Sequence, residues 1–423
     1  MSALDVAPRT HTHSEDDTSA CSTVVRKTLR LCTAGSVDDG KSTFVGRLLH
    51  DTNSVRVDQL EHVTRSSHQR GFAGIDFSLL VDGLRAEREQ GITIDVAYRY
   101  FSTKARTFIL ADTPGHVQYT RNTVTGMSTS DVVVLLVDAR TGVSEQTRKH
   151  LSVAGLLGVS AVILAVNKID LVDYSEDIFN QINADFTHIA TSYGINRTFA
   201  VPISALHGDN VAEASTAMDW YTGSTVLDLL ETIDVDTDTT PVNARFPIQY
   251  VIREHSNDYR GYAGTLATGE LQLGQKLYTS CGREATVIGI DTTDGETTTA
   301  RAGQSICVRL AEDIDLSRGD LLSAKPVAAQ RTFTATIVGV HETPLNPGQL
   351  LKLRTGTSSV RARIATQNAP QSVGLNDIAE ITIELATPLP VETYHSRGAV
   401  GSFLLIDANS GDTRAAGIIT AVP

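Results

Sequence analysis

Gly35-Ser-Val-Asp-Asp-Gly40-Lys41-Ser42-Thr43 stands between the apolar run Leu29–Gly35 and the helix-period stretch Ser42–His50. It matches G-x-x-x-x-G-K-[ST] in the strand-to-helix setting that this pattern needs to hold phosphate. The glycines let backbone N–H groups turn inward around phosphate oxygens, so Gly35, Ser36, Val37, Asp38, Asp39, Gly40 and Thr43 form a candidate cradle. Lys41 is placed to reach the β/γ-phosphates, and the Ser42 hydroxyl is a candidate Mg2+ ligand. This loop predicts a parallel α/β sheet that binds a nucleotide at the carboxyl ends of its strands.

The flanking pattern agrees. Thr107–Thr113, Asp131–Ala139, Ala161–Lys168 and Thr198–Ala205 are short β-branched-rich runs suited to strands buried on both faces. Gln146–Leu157 and Ile178–Tyr193 carry helical periodicity between them, as crossover helices require. The polar stretch Asp234–Asn243 then breaks the alternation and reads as a linker. Beyond it, short Thr/Val/Ile segments are punctuated by Tyr259–Gly264, Gly269–Gly274, Asp291–Glu296 and Asn346-Pro-Gly348, all read as turn signals. The expected organisation is a tail (1–27), an α/β P-loop domain (28–233), a linker (234–244) and two β-barrels (245–327 and 328–423).

A P-loop does not choose between ATP and GTP; the base-reading residues do. Asn167-Lys168-Ile169-Asp170 ends one of the apolar runs. A carboxylate at Asp170 accepts two hydrogen bonds from guanine, one from the ring N–H and one from the exocyclic amine, a pair that adenine does not offer. Lys168 would lie along the base, and Asn167 would tie this loop to the P-loop. Ser204-Ala205-Leu206, after the last apolar run, can offer backbone N–H groups to the guanine carbonyl.

Asp112-Thr-Pro-Gly115-His116 ends another run and supplies what hydrolysis needs. Asp112 can hold Mg2+ through water, the Gly115 N–H can contact the γ-phosphate, and His116 is placed to orient the attacking water. Thr93, in Gly91-Ile-Thr-Ile-Asp95, would add its hydroxyl to Mg2+ and close a switch loop. The five segments stand in the order expected of a switch GTPase. Its catalytic candidates are Lys41, Thr93 and His116, its metal candidates Ser42, Thr93 and Asp112, and its cofactors GTP and Mg2+.

Composition bounds the partners. The chain has 423 residues, with 36 Lys+Arg against 49 Asp+Glu, a net charge of −13 that disfavours bulk binding to nucleic acid or an anionic membrane. Cys21, Cys32, Cys281 and Cys307 form no C-x-x-C pair and are too scattered for a disulfide framework. No apolar stretch reaches the roughly 18 residues of a membrane span, and the amino-terminal residues lack the apolar core of a signal peptide. A cytoplasmic protein is expected. Residues 1–27 read as a disordered tail, whose His11, His13 and Cys21 are better explained as solvated side chains than as metal ligands.

Arg88-Glu-Gln-Gly91-Ile-Thr-Ile-Asp95, D-T-P-G-H and the two following barrels resemble the translation-factor branch of P-loop GTPases. Within it, Gly35–Thr43, Leu80-Val-Asp-Gly-Leu84, Asp95–Phe101, Tyr119-Thr-Arg-Asn122, Leu171–Glu176 and Arg260-Gly-Tyr-Ala-Gly-Thr265 resemble the large, GTPase subunits of bacterial sulfate adenylyltransferases (ATP sulfurylases). Elongation factors usually carry His at the position of Asp39 and a basic residue at that of Gln90. Val117 stands where the family usually has an acidic residue, Ile169 where Met is common, and Ser224 where a proline is expected.

The resemblance implies a division of labour. A small partner subunit adenylylates sulfate with ATP, giving adenylyl sulfate and pyrophosphate, and this chain couples GTP hydrolysis to that uphill step in sulfate assimilation. The sequence holds no second P-loop, no H-x-G-H and no S-G-G-x-D-S loop, in keeping with such a split. The segments 51–95 and 112–126 are the expected bistable elements. The alternative is an elongation-factor-type GTPase that delivers aminoacyl-tRNA, which would need a basic groove.

Overall fold

The computed structural model describes residues 28–69, 71, 74–81, 96–116, 120–235, 243–254, 259–366, 371–395 and 400–423. The tail 1–27, Thr93 and residues 236–242 of the linker lie outside the described residues. Six strands form the first sheet: β1 Thr28–Ala34, β2 Ala97–Ser102, β3 Thr107–Asp112, β4 Val132–Asp138, β5 Ala161–Asn167 and β6 Thr198–Pro202. Their order is β2-β3-β1-β4-β5-β6. β1, β3, β4, β5 and β6 pair in parallel, and β2 lies antiparallel on the edge against β3.

β4 and β5 are buried along their whole length, which is why they read as unbroken apolar runs. Their alternate residues nevertheless enter two separate cores. Val133, Leu135, Val162 and Leu164 pack on one face with helices α3 Thr120–Ser128, α4 Glu145–Leu156 and α5 Glu176–Ser192. Val132, Val134, Ala161 and Ile163 pack on the other with α1 Lys41–Asp51 and α6 Val226–Thr232. Each fully buried Leu or Val contributes about 1.5–3 kcal/mol relative to exposure. The helix α2 Val57–Gln69 is more peripheral, burying only Val63 and Ser67.

Helix starts follow local chemistry. Ser144, Ser175 and Thr225 each accept a hydrogen bond from the backbone N–H three residues on, capping α4, α5 and α6. The turn before α6, where Ser224 stands in place of an expected proline, is held by the Tyr221 hydroxyl donating to the Ser224 carbonyl at 2.9 Å. Arg106, buried in the β2–β3 hairpin, donates to the carbonyls of Leu230 (3.0 Å) and Ile233 (2.7 Å), satisfying the buried carboxyl end of α6.

Residues 245–323 form an eight-stranded antiparallel sheet and a small ribbon. The sheet holds β7 Arg245–Pro247, β8 Tyr250–Glu254, β9 Tyr259–Thr265, β11 Lys276–Thr279, β12 Glu284–Thr292, β13 Gly295–Thr297, β15 Ser305–Leu310 and β16 Leu321–Ser323. Its path is β7-β16-β11-β12-β15-β9-β8, with β13 on β12, and it wraps one apolar core around Phe246, Tyr262 and Leu277. The ribbon pairs β10 Glu270–Gln272 with β14 Thr299–Arg301. Tyr259–Gly264, read above as a turn, is strand β9. Its glycines serve close packing: a Cβ on Gly261 would lie 2.3 Å from Cys307 Sγ, and one on Gly264 2.4 Å from the Pro247 carbonyl.

The last unit is a closed barrel of β17 Ala329–Gly339, β18 Leu350–Thr355, β19 Ser358–Ile364, β20 Ile378–Pro390, β21 Ser402–Asp407 and β22 Thr413–Ala421. Strands follow the order β17-β20-β19-β18-β21-β22 around a core of its own. It leans on the first sheet's helices: Val338 is buried in the same cluster as Val124 and Val153, and the Tyr394 hydroxyl donates to the Leu157 carbonyl at 2.5 Å. Arg245 and Glu392 form a two-point ion pair (2.6 and 2.7 Å) between the two β units.

Candidate nucleotide site

The order reversal beside β1 opens a crevice at the carboxyl ends of β1, β3, β4 and β5, where ligands collect in open α/β sheets. A cavity of about 510 Å³ occupies it, lined by Val37, Asp38, Gly40, Lys41, Ser42, Thr43, Ser78, Gly115, His116, Arg140 and Lys168.

The loop after β1 is shaped by backbone geometry that its residues permit. Gly35 and Gly40 have φ of 149° and 89°, and Asp38, in the left-handed region at 65°, is of a type that tolerates it better than most. A Cβ on Gly35 would lie 2.7 Å from the Leu136 carbonyl, and one on Gly40 2.3 Å from Asn167 Nδ2. The Asp39 carboxylate accepts from the Ser36 N–H at 2.6 Å and pins the turn from inside. Burial pushes the Asp39 carboxyl above its ordinary value, against the pull of the Ser36 N–H and Lys41.

Lys41, at the first position of α1, is only 7% exposed. Its Nζ donates to the carbonyls of Gly35 (3.0 Å) and Ser36 (2.6 Å), so the ammonium arches back over the loop. Burial lowers its pKa, opposed by the charges of Asp39, Asp112 and Asp38. Gly115 completes the cradle from the β3 side, because a Cβ there would lie 2.2 Å from Lys41 Nζ.

Asp112, the last residue of β3, is wholly buried and accepts from the Thr33 hydroxyl at 2.8 Å. The neighbouring Thr113 hydroxyl donates to the Thr33 carbonyl at 2.6 Å, locking the end of β3 to β1. Ser42 lines the cavity beside Lys41, and the Asp112 carboxylate is near enough to Lys41 to act on its charge; both are hard oxygen donors. This donor set suits Mg2+ rather than a softer ion. Among the described residues no group of three or more His, Cys, Asp or Glu could hold a metal.

Asn167 joins three of the sequence-predicted segments. Its Nδ2 donates to the Asp39 carbonyl at 2.8 Å, and its Oδ1 accepts from the Ala205 N–H at 3.0 Å. Lys168, left-handed at φ 61°, donates to the Asp38 carbonyl and to Asp138 Oδ2, the latter at 3.0 Å. Asp170 is the second residue of a short 3-10 turn, Ile169–Val172, with its carboxylate largely covered, 3.9 Å from the His207 ring. Ser204, Ala205 and Leu206 follow β6 at the same sheet edge, with Leu206 exposed.

Val37, Asp38, Gly40–Thr43, Gly115, His116 and Lys168 thus line one cavity, while Gly35, Ser36, Asp39, Asp112, Asn167, Asp170 and Ser204–Leu206 are not among its lining residues; Thr93 lies outside the described residues. Sequence reasoning missed two lining residues, Ser78 and Arg140. Ser78 follows Phe77, whose carbonyl would meet a Cβ on Gly46 of α1 at 2.0 Å, so Gly46 is what lets that turn reach the cavity. Arg140 follows the carboxyl end of β4 by two residues, and the signal was that position itself, since ligands collect there in open α/β sheets.

Comparison with known proteins agrees with this architecture. The elongation factor Tu GTP binding domain family matches residues 26–237, and the GTP-eEF1A C-terminal domain-like family matches residues 332–420. Sulfate adenylyltransferase subunit 1 of Erwinia tasmaniensis is 46% identical over 408 residues, covering 92% of this chain and 86% of that protein. Sulfate adenylyltransferase subunit 1 of Citrobacter koseri is 45% identical over 410 residues, with the same coverage.

Proposed function

Because the chain belongs to the sulfate adenylyltransferase subunit 1 family, we propose that it couples GTP hydrolysis to the formation of adenylyl sulfate and pyrophosphate from ATP and sulfate by a small partner subunit. The observation that carries the guanine-nucleotide half is the pair of Asn167 hydrogen bonds, which fastens the N-K-x-D loop to both the P-loop and the Ser204–Leu206 turn. The sulfate half is supported by the names of the relatives.

In this reading the N–H groups of 36–43 surround the phosphates, and Lys41 exchanges the Gly35 and Ser36 carbonyls for phosphate oxygens. Asp170 accepts the two guanine N–H hydrogens, Lys168 lies along the base, and the Ser204–Leu206 turn, whose Ala205 N–H is held by Asn167, turns another backbone N–H to the guanine carbonyl. Ser42, Thr93 and Asp112 would hold Mg2+, which supplies neutralising charge to the β/γ-phosphates when bound. His116 holds the attacking water in line. Loss of the γ-phosphate releases Gly115, so the segment from Asp112 to Gly126 has two positions that a partner can tell apart; without such differential binding no coupling is possible.

The same reading divides the chain into a GTPase domain (28–233), a linker (234–244) and β domains at 245–327 and 328–423. It places the protein in the cytoplasm, in keeping with free Cys32, Cys281 and Cys307. No helix among the described residues is long and apolar enough to cross a membrane.

The test is the GTPase rate with and without the small subunit, sulfate and ATP. Stimulation by the complete set is expected, and no stimulation in any combination overturns the coupling role. Delivery of aminoacyl-tRNA, the reading that the elongation-factor domain matches favour, predicts GTP-dependent retention of aminoacyl-tRNA on a filter; the net charge of −13 opposes it.

A further inference from the structure

Asp138 closes β4 beside Asn167 of β5 and is only 4% exposed. Three donors converge on its carboxylate besides the Arg140 N–H at 2.9 Å: Arg140 Nε at 3.0 Å, Arg140 Nη2 at 2.6 Å and Lys168 Nζ at 3.0 Å. The same Lys168 Nζ also donates to the Asp38 carbonyl in the P-loop. A single buried carboxylate therefore carries two cations, both of which line the nucleotide cavity.

The charge count gives this arrangement a consequence. With Lys168 alone, Asp138 would neutralise the lysine and leave that wall without net charge toward an anionic ligand. With Arg140 clamping the carboxylate in a two-point fork, the trio of Arg140, Asp138 and Lys168 carries one net positive charge. The fork also fixes which way the carboxylate faces, and so where Lys168 Nζ sits between Asp138 and the P-loop. The Arg140 side chain is half exposed, and only its Nε and Nη2 are spent on Asp138.

Resting on the guanine-nucleotide reading of this cavity, we infer that Arg140 is a positioning residue that, through Asp138, holds Lys168 against the P-loop and thereby sets how tightly the nucleotide is retained. Its action is on affinity, not on the phosphoryl-transfer step, because its fork is spent on Asp138 at the base-side wall. No residue of the Arg88–Asp95 or D-T-P-G-H segments is needed for it.

The experiment uses the full-length chain and fluorescent GDP and GTP, with dissociation followed by stopped flow and hydrolysis at saturating GTP. Arg140→Ala is expected to speed release and raise KM about tenfold, with kcat falling no more than about twofold, in proportion to the loss of one charge-assisted contact. Arg140→Lys, which keeps the charge and loses the fork, should recover part of the affinity. On a Lys168→Ala background the loss from Arg140→Ala should be smaller than in the parent, since only its charge and no longer the placement of Lys168 is left to lose. Unchanged release in Arg140→Ala, full additivity with Lys168→Ala, or a loss confined to kcat would each overturn the inference. Thermal melts of each variant separate these outcomes from misfolding. If the unmodified chain binds no guanine nucleotide, the functional reading fails and the inference falls with it, whereas the variant outcomes above overturn the inference alone.

Discussion

Asn167 Nδ2 lies 2.8 Å from the carbonyl oxygen of Asp39, 128 positions earlier in the chain. With the Ala205 N–H on its other end, one 2%-exposed amide holds three loops at a common height above the sheet. Asn167→Ala leaves the Asp39 carbonyl and the Ala205 N–H without this partner. Guanine-nucleotide affinity is expected to fall by at least about tenfold, and stability by about 1–3 kcal/mol. Fluorescent-nucleotide titration and urea unfolding measure the two. Wild-type affinity in Asn167→Ala would mean that the loops hold their places without the amide.

Lys41 and His116 line the same cavity but differ in what surrounds them. Lys41 is buried and bonded to two carbonyls of the loop after β1, whereas His116 stands partly exposed after Gly115. Lys41→Ala should abolish tight GTP and GDP binding. His116→Ala should bind both nearly as well as the parent, yet hydrolyse GTP at least about a hundredfold more slowly, the order of a general acid–base or water-positioning contribution. Equilibrium binding and single-turnover hydrolysis on the two variants separate the roles, and normal hydrolysis by His116→Ala would remove that residue from the chemistry.

The base-reading role of Asp170 is tested by changing what it can accept and donate. Asp170→Asn replaces a carboxylate that takes two N–H hydrogens with an amide that must donate one of its own. GTP affinity should drop, and xanthosine triphosphate, whose added carbonyl accepts from the new amide, should become the preferred ligand. Competition between the two nucleotides reads the switch directly, and an unchanged preference for GTP would exclude Asp170 from base contact.

What was legible in the sequence tracks how local the determinant is. β1, β3, β4, β5 and β6 were readable because strands covered on both faces are unbroken apolar runs, and the loops beyond them because the chemistry requires fixed spacing. β2 was not readable as a strand because polarity does not follow exposure in it: Tyr98 and Tyr100 are exposed, while Arg99 between them is partly buried and donates to the Val81 carbonyl. Tyr259–Gly264 misled because glycine signals a turn by default, whereas Gly261 and Gly264 are there to let Cys307 and the Pro247 backbone approach. Arg106 at the end of α6 depends on partners brought together by the fold across more than a hundred positions, whereas Arg140 stands two residues from Asp138 in a stretch that no motif marks. No window of sequence contains the Arg106 pair.

His150 gives a pH signature of the fold itself. It lies on α4, 1% exposed, with Nε2 2.9 Å from the Gln146 side-chain nitrogen, and burial, aided by the nearby Lys41 charge, lowers its pKa to about 3. The unfolded chain would protonate this ring near the ordinary histidine value of 6.5, so below that pH the unfolded state binds a proton that the folded state refuses. The stability this represents is complete above about pH 6.5 and is lost as pH falls toward 3, at up to about 1.4 kcal/mol per pH unit. His150→Leu removes the titrating ring while keeping an apolar group of similar bulk in place. Between pH 6.5 and 3 its unfolding free energy should therefore decline less steeply than the parent's by that amount, so that the variant gains on the parent as the solution is acidified. Urea titrations of both proteins at half-unit steps provide the comparison. Parallel pH profiles would mean that the buried ring accepts its proton in the folded state at an ordinary value.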